Sequence, residues 1–283
     1  MRIARLCHGR IFADRRTGRR TVDRDIDECE FHPAGRDARP CPGGRRRNRV
    51  TGPDLSHIST WVFDLDNTLY PSDAEVMTQV DRLMTDYVAK LLDLPRDKAR
   101  EVQKTYWREH GTTLNGLMAN GQVTDARDFL DFVHDIDLDV ITPDPELASR
   151  IEALPGRRLV YTNGSLKHAE RVCDRLGISH CFDDLFDVEA AGFNPKPHRA
   201  GFDRFTDRFA IRPAEATLFE DSVRNLKTAH ELGWTTILVW PKPGPRDEEC
   251  AEPGHHPDHV HHATDCLRTF LGQVRTANHI AVK

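Results

Sequence analysis

The sequence predicts an α/β fold: a doubly wound parallel sheet with an all-helical insertion after its first strand. Three observations predict it. Short apolar runs at Thr60–Phe63, Arg158–Tyr161, Ala216–Phe219 and Thr235–Trp240 read as strands, and polar residues follow the first three, as they follow buried parallel strands. Helical stretches come after the second and third runs, opening at Ser165 and Ser222 and closing at Gly177 and Gly233. Between the first and second runs, roughly Tyr70 to Asp139 has helical texture alone.

From Met1 to about Asp54 the chain is rich in Gly, Pro and Arg and has no helical or strand period. Met1 to Val50 holds 14 Arg, no Lys and 7 acidic residues. Such a segment buries too little apolar surface to order itself, so residues 1–54 read as a disordered extension, of the kind a start codon set too far upstream would produce. Asp23, Asp25, Asp27, Glu28 and Glu30 argue against a transit peptide, which is poor in acids.

Beyond Phe63 comes the polar loop Asp64-Leu65-Asp66-Asn67-Thr68. Ser72 and Glu75 have capping-box spacing, and Val76, Val80, Leu83, Met84, Tyr87, Val88 and Leu91 follow at helical intervals. Pro95 opens a second helix toward His110, and shorter helices run to about Val133. A short strand near Val260 and a helix from about Asp265 close the chain. The domains expected are the extension 1–54, an α/β core from 55–70 and 140–283, and a helical cap over 71–139.

Bulk properties exclude some functions. The head carries +7 against −5 for the whole chain, which leaves −12 on the rest. An acidic body argues against nucleic acid as partner. No run approaches the ~18 apolar residues of a membrane span. Seven scattered cysteines without a CxxC pair, and no apolar secretory core after Met1, fit a reduced, cytoplasmic compartment. A monomer or a homodimer is expected.

In open parallel sheets, ligands bind beyond the carboxyl ends of the strands. Asp64 and Asp66 lie there, with Thr162-Asn163-Gly164, Glu220-Asp221, and Lys196 in Asn194-Pro195-Lys196-Pro197. Four carboxylates in one crevice repel unless a cation neutralises them, and oxygen ligands without His or Cys suit Mg2+. Thr162 and the N–H groups of Asn163 and Gly164, near a helix N-terminus, form an anion seat, and Lys196 adds a fixed positive charge. These parts describe phosphoryl transfer to or from a small phosphorylated metabolite.

Phe63-Asp64-Leu65-Asp66-Asn67-Thr68-Leu69 resembles motif I of the haloacid dehalogenase superfamily, and Thr162, Lys196 and Glu220-Asp221 match its motifs II, III and IV in order. The resemblance covers about Ser59 to Leu271. It implies a Rossmann-like core and a set of roles. Asp64 is the nucleophile that becomes an aspartyl-phosphate. Asp66 protonates the leaving alcohol and then activates water. Thr162 and Lys196 grip the phosphoryl group. Asp64, the main-chain carbonyl of Asp66, and Asp221 hold Mg2+, with Glu220 beside them. Dehalogenases lack an acid at the Asp66 position, since halide leaves without a proton.

A finer resemblance, to the pyrimidine 5′-nucleotidase branch, rests on Asn67-Thr68-Leu69-Tyr70-Pro71, on His110 to Leu117 and on Phe132-Val133-His134-Asp135-Ile136. It also rests on Tyr161-Thr162-Asn163-Gly164 and Phe219-Glu220-Asp221-Ser222. This likeness implies UMP or CMP as substrate. The alternatives are another small ester, such as phosphoglycolate or a sugar phosphate, and a phosphoglucomutase-type transfer. A pure binding protein fits poorly, because a binder needs no proton donor beside a nucleophile.

The set His255, His256, His259, His261 and His262 lacks strict ligand spacing and reads as a surface loop. Cys173 reads as a small core residue. Tyr106, Trp107 and His110 are candidates either for stacking on a base or for the cap's own core. His134-Asp135 is a candidate for orienting the cap.

Overall fold

A computed structural model describes residues 52–240 and 256–280. Residues 1–51 of the expected disordered extension and His255 lie outside the described residues. The extension's last three residues are ordered instead: Gly52 N–H donates to the Gln273 carbonyl at 3.0 Å, the Pro53 carbonyl accepts from Arg275 N–H at 3.0 Å, and Asp54 forms a parallel bridge with Arg275.

Six strands form one parallel sheet: β1 (Thr60–Phe63), β2 (Arg157–Tyr161), β3 (Asp184–Phe186), β4 (Ala216–Glu220), β5 (Thr235–Val239) and β6 (His262–Thr264). Their order is β3-β2-β1-β4-β5-β6. The chain leaves β1 toward one side of the sheet and reaches β4 on the other, so β1 and β4 flank the topological switch point. All four residues of β1 are buried and alternate between two packing layers. Trp61 and Phe63 enter one layer with Val160, Phe219 and Ile237. Val62 enters the other with Leu159, Phe202, Phe205 and Trp234. A central strand covered on both faces needs a continuous apolar run, and Thr60-Trp61-Val62-Phe63 provides one.

Between β1 and β2 lie α1 (Val76–Leu92), α2 (Arg96–His110), α3 (Thr113–Ala119) and α4 (Ala126–Val133), followed by α5 (Pro145–Glu152). The rest are α6 (Leu166–Leu176), α7 (Arg199–Phe209), α8 (Val223–Glu231), α9 (Leu267–Gln273) and α10 (Ala277–Ile280). Helix α6 has the expected ends: Ser165 Oγ accepts from the His168 N–H at 3.3 Å, and Gly177 turns left-handed at φ 75°.

Some local expectations change. The Ser72–Glu75 capping box does not form. Ser72–Ala74 is a separate 3-10 turn, Glu75 takes φ 60°, and α1 begins only at Val76, so the two side chains never share a first helical turn. Leu91 is 38% exposed, while Val76, Val80 and Val88 of the same helix are buried. Ser222 precedes α8 without a side-chain cap bond. The last strand begins two residues beyond Val260. Helix α5 and strand β3 join the expected elements.

Among the described residues no helix is long and apolar enough to cross a membrane. Cys173, Cys181 and Cys266 are free thiols, and Cys173 is buried as expected.

Candidate active site

Asp64 is the first residue past β1, and its N–H donates to the Phe219 carbonyl at 2.9 Å, which extends the β1–β4 ladder by one rung. The ladder thus fixes the carboxyl at the switch point. Lys196 arrives from the loop before α7 and is 2% exposed. Its Nζ donates to Asp64 Oδ1 at 2.6 Å, to Glu220 Oε2 at 2.7 Å and to the Tyr161 carbonyl at 2.7 Å. All three ammonium protons are therefore used. Burial works against the charged amine, but the Asp64 and Glu220 carboxylates outweigh it and hold Lys196 protonated.

Two features place that lysine. The Asn163 side chain clamps its backbone, accepting from Lys196 N–H at 2.7 Å and donating to Lys196 O at 3.0 Å. Gly201 in α7 lies against the loop so closely that a Cβ there would sit 2.1 Å from the Asn194 carbonyl oxygen. Thr162 is buried, and its Oγ1 accepts from the Gly164 N–H at 2.9 Å.

Asp64, Glu220 and Asp221 bring carboxylate oxygens within 4.8 Å of one another. Burial, then the neighbouring Glu220, pushes the Asp64 carboxyl up to about 7 despite Lys196. Burial, Glu220 and Asp64 raise Asp221 well above the carboxylate range. Three crowded carboxylates share one ammonium, so the cluster has an unmet demand for positive charge. Its donors are oxygen alone, which fits a hard divalent cation.

Asp66 faces elsewhere. Its Oδ1 accepts from Tyr70 Oη at 2.5 Å and pairs with His168 Nε2 at 2.9 Å. Burial raises this carboxyl, but His168 and Tyr70 outweigh burial and pull it down to about 2. The His168 ring stacks on His134 with centroids 4.3 Å apart, and Ser165 Oγ lies 3.1 Å from His134 Nδ1. Burial holds His134 neutral, its pKa down to about 3.

The sequence model of the haloacid dehalogenase-like hydrolases matches residues 58–233, from just before β1 to the end of α8. The chain belongs to this family. Phosphate metabolism protein 8 of Saccharomyces cerevisiae is 29% identical over 206 residues, which cover 67% of this chain and 64% of the yeast protein. The chain thus spans less than two thirds of the yeast protein's length. Among solved structures, a haloacid dehalogenase family phosphatase from Thermococcus onnurineus superposes with a TM-score of 0.50 at 17% identity, covering 77% of this chain and all of that one. An L-2-haloacid dehalogenase from Xanthobacter autotrophicus gives 0.40 at 20% identity, over 64% of this chain and 77% of that one. The likeness to the Thermococcus onnurineus protein shows the fold.

In this haloacid dehalogenase-like hydrolase the site opens into two cavities. One, of about 280 Å³, is lined by Asp64, Asp66, Lys196, Glu220, Asp221 and Arg224 among others. The other, of about 380 Å³, lies among the inserted helices, against Val80, Met84, Leu114, Phe129, Leu130 and Gln103. Asp66, Met77, Trp107, Gly111 and Asn163 line both. Trp107 is 39% exposed at this shared boundary, whereas Tyr106 packs inward and bonds Gln122 Oε1 at 3.0 Å. Of the candidate stacking residues, Trp107 thus faces the cavities and Tyr106 belongs to the insertion's core.

Sequence reasoning brought Asp64, Asp66, Thr162, Asn163, Gly164, Lys196, Glu220 and Asp221 to one end of the sheet but missed Tyr70 and His168. The available signals were weak: a tyrosine four residues after Asp66, and a histidine in the first turn of the helix after Gly164. His134 is buried beside His168, while its neighbour Asp135 is exposed.

Two other groups read as structural. His259 Nε2 meets the Val223 carbonyl at 2.9 Å, and His261 Nδ1 accepts from the Thr236 N–H at 3.0 Å, so both tie a loop to the core. Glu152, His180 and Cys181 also bring donor atoms together. Burial raises the Cys181 thiol, and its proton already points to the Ala148 carbonyl, which disfavours the thiolate that a metal needs.

Proposed function

We propose that this chain is a Mg2+-dependent phosphomonoesterase that works through an aspartyl-phosphate on Asp64. The observation that carries the reading is the buried Lys196 bonded to both Asp64 and Glu220 beside Asp221, with Asp66 two residues further on. Asp64, Asp221 and the main chain of Asp66 hold the cation, with Glu220 alongside. Mg2+ supplies positive charge for the phosphoryl oxygens next to these carboxylates.

The phosphoryl group is gripped by the Thr162 hydroxyl and the Asn163 N–H, with Gly164 shaping the turn by its bond to Thr162. Lys196, whose three protons are held by Asp64, Glu220 and the Tyr161 carbonyl, adds its positive charge. Asp66 is a carboxylate before substrate binds. It takes up the proton carried by the phosphomonoester, whose second pKa is about 6, and hands it to the ester oxygen as Asp64 attacks phosphorus. Asp66, now a carboxylate, takes a proton from water; the water attacks phosphorus, and phosphate departs with Asp64 restored. Asp66 favours this chemistry over dehalogenation, because an alkoxide needs a proton on leaving and a halide does not.

The inserted helices, residues 71–139, act as the cap that covers the leaving group and keeps water from it. Their apolar cavity with Trp107 at its edge supports a flat, ring-bearing leaving group, and pyrimidine nucleoside 5′-monophosphates are the substrates proposed, in a cytoplasmic enzyme. The test is phosphate release from a panel of phosphorylated metabolites by wild type and Asp64→Asn, with EDTA and with Mg2+ restored. Turnover by wild type alone, lost with EDTA, is expected. Turnover that persists in Asp64→Asn overturns the reaction, and sugar phosphates that match UMP and CMP overturn the substrate.

A further inference from the structure

The two hydrogen bonds that the described residues make to the Asp66 side chain both end on Oδ1. A carboxylate oxygen has two lone-pair directions, so Tyr70 and His168 together fill that oxygen. We propose that Tyr70 and His168 are positioning residues for Asp66, which saturate Oδ1 so that Oδ2 alone delivers the proton to the leaving alcohol and takes one from water. The inference rests on the phosphomonoesterase reading above. It goes beyond that reading by assigning the reacting oxygen and the residues that select it.

The geometry behind His168 makes the selection firm. Its side chain has no exposed surface, and its ring lies nearly parallel to His134, 12° apart. Gly164 closes over it: a Cβ there would come 3.2 Å from His168 Cδ2. His168 Nδ1 has no partner among the described residues, which assigns the ring proton to Nε2, facing Asp66. His134 is fixed in turn by the Ser165 hydroxyl, and Arg171 binds its carbonyl at 2.7 Å. Tyr70, at the end of the loop that carries Asp66, is also buried. A half-turn of the Asp66 carboxyl would only exchange its two oxygens, and a quarter-turn would carry Oδ1 away from both donors.

In the first step a P–O bond forms to Asp64, the ester P–O bond breaks, and the proton that Oδ2 has taken up from the bound phosphomonoester moves to the departing oxygen. An alkyl ester needs that proton. The p-nitrophenolate of p-nitrophenyl phosphate leaves without it. The leaving group therefore separates a misplaced acid from a damaged fold, and kcat/KM reports this first step alone, whatever limits the second.

The experiment measures kcat/KM for UMP, or for the fastest alkyl ester of the metabolite panel, and for p-nitrophenyl phosphate. It uses the full chain as wild type, His168→Leu, His168→Gln and Tyr70→Phe. In His168→Leu we expect a fall of roughly tenfold to a hundredfold on the alkyl ester, as for a catalytic group displaced by about an ångström, and about threefold or less on the aryl ester. His168→Gln, whose amide reaches the same place, recovers most of the alkyl activity. Equal losses on both esters, or no loss in a folded variant, overturn the proposal. If His168→Leu does not fold, Tyr70→Phe is judged by the same ratio. Failure of the parent reading looks different: wild type then hydrolyses neither ester, or Asp64→Asn stays active, and this proposal falls with it.

Discussion

Lys196 Nζ lies 2.6 Å from Asp64 Oδ1, and both side chains are almost wholly buried. With Glu220 at 2.7 Å, the ammonium separates two carboxylates that otherwise face each other out of water. Lys196→Met should therefore cost about 3–5 kcal/mol of stability in metal-free buffer, the range found when one partner of a buried pair is removed. Lys196→Arg should not restore activity, since a planar guanidinium cannot reproduce a three-way ammonium contact. Urea denaturation in EDTA measures the first effect; an unchanged midpoint argues against the buried triad.

The same crowding sets an unusual pH dependence. Asp64 is raised to about 7, so between its unfolded value of 3.8 and 7 the folded chain binds the extra proton. Stability from this group is thus lost as pH rises through that window, opposite to an ordinary paired carboxylate. Asp66, lowered to about 2, contributes stability that is lost only as pH falls below 3.8. His134, lowered from 6.5 to about 3, favours the folded state as pH rises and opposes Asp64 over much of the window. The comparison between proteins is therefore the measurement. In EDTA, the stability of Asp64→Asn relative to wild type should increase from pH 4 to pH 7; a flat difference refutes the raised carboxyl.

A cation should relieve this strain of charge. Mg2+ at about a hundred times its Kd should stabilise wild type by ~2.7 kcal/mol and should do far less for Asp221→Asn. Because protons compete for the same carboxylates, the midpoint of the Mg2+ titration should move to higher concentration as pH falls below 7. Thermal denaturation across a Mg2+ series reads both effects, and equal shifts in the two proteins would remove Asp221 from the metal site.

What the sequence made legible was whatever depends on a single strand end. Asp64, Thr162 and Glu220 each sit at the end of a short apolar run, so local pattern places them, and strand order then brings them together. Tyr70 and His168 were not legible, because their contact with Asp66 depends on how a loop folds back and how α6 is rotated. Strand β3 is three residues long, with two of them half-buried, and exists through its pairing with β2, a non-local cause. Glu75 shows the same limit at short range: its left-handed backbone overrode a correctly spaced pair of capping residues.

Gly201 links fold to chemistry through space rather than charge. Its missing Cβ lets α7 approach the Asn194 carbonyl two residues before Lys196, and the same Cβ would lie 2.6 Å from Tyr161 Oη. Gly201→Ala should destabilise the chain by about 1–3 kcal/mol, as overpacking does, and should lower kcat by moving the Lys196 loop. An alanine variant of wild-type stability and rate would show that the loop yields without consequence.

Trp107 tests the substrate. Half-exposed where the cavity over the acids meets the cavity among the inserted helices, it lends little to the insertion's own packing, so Trp107→Ala should leave thermal stability nearly unchanged. If a pyrimidine ring lies against the indole, the variant loses a stacking contact of about 1–3 kcal/mol. KM for UMP and CMP should then rise roughly tenfold or more, because 1.4 kcal/mol corresponds to tenfold in an equilibrium constant. KM for a phosphate ester without a ring, such as glycerol phosphate, should stay within about twofold, since Trp107 is not among the residues proposed to bind the phosphoryl group. Parallel increases for both esters would assign Trp107 to closing the cavity; no increase for either would remove the ring-binding role and, with it, the argument for a nucleotide.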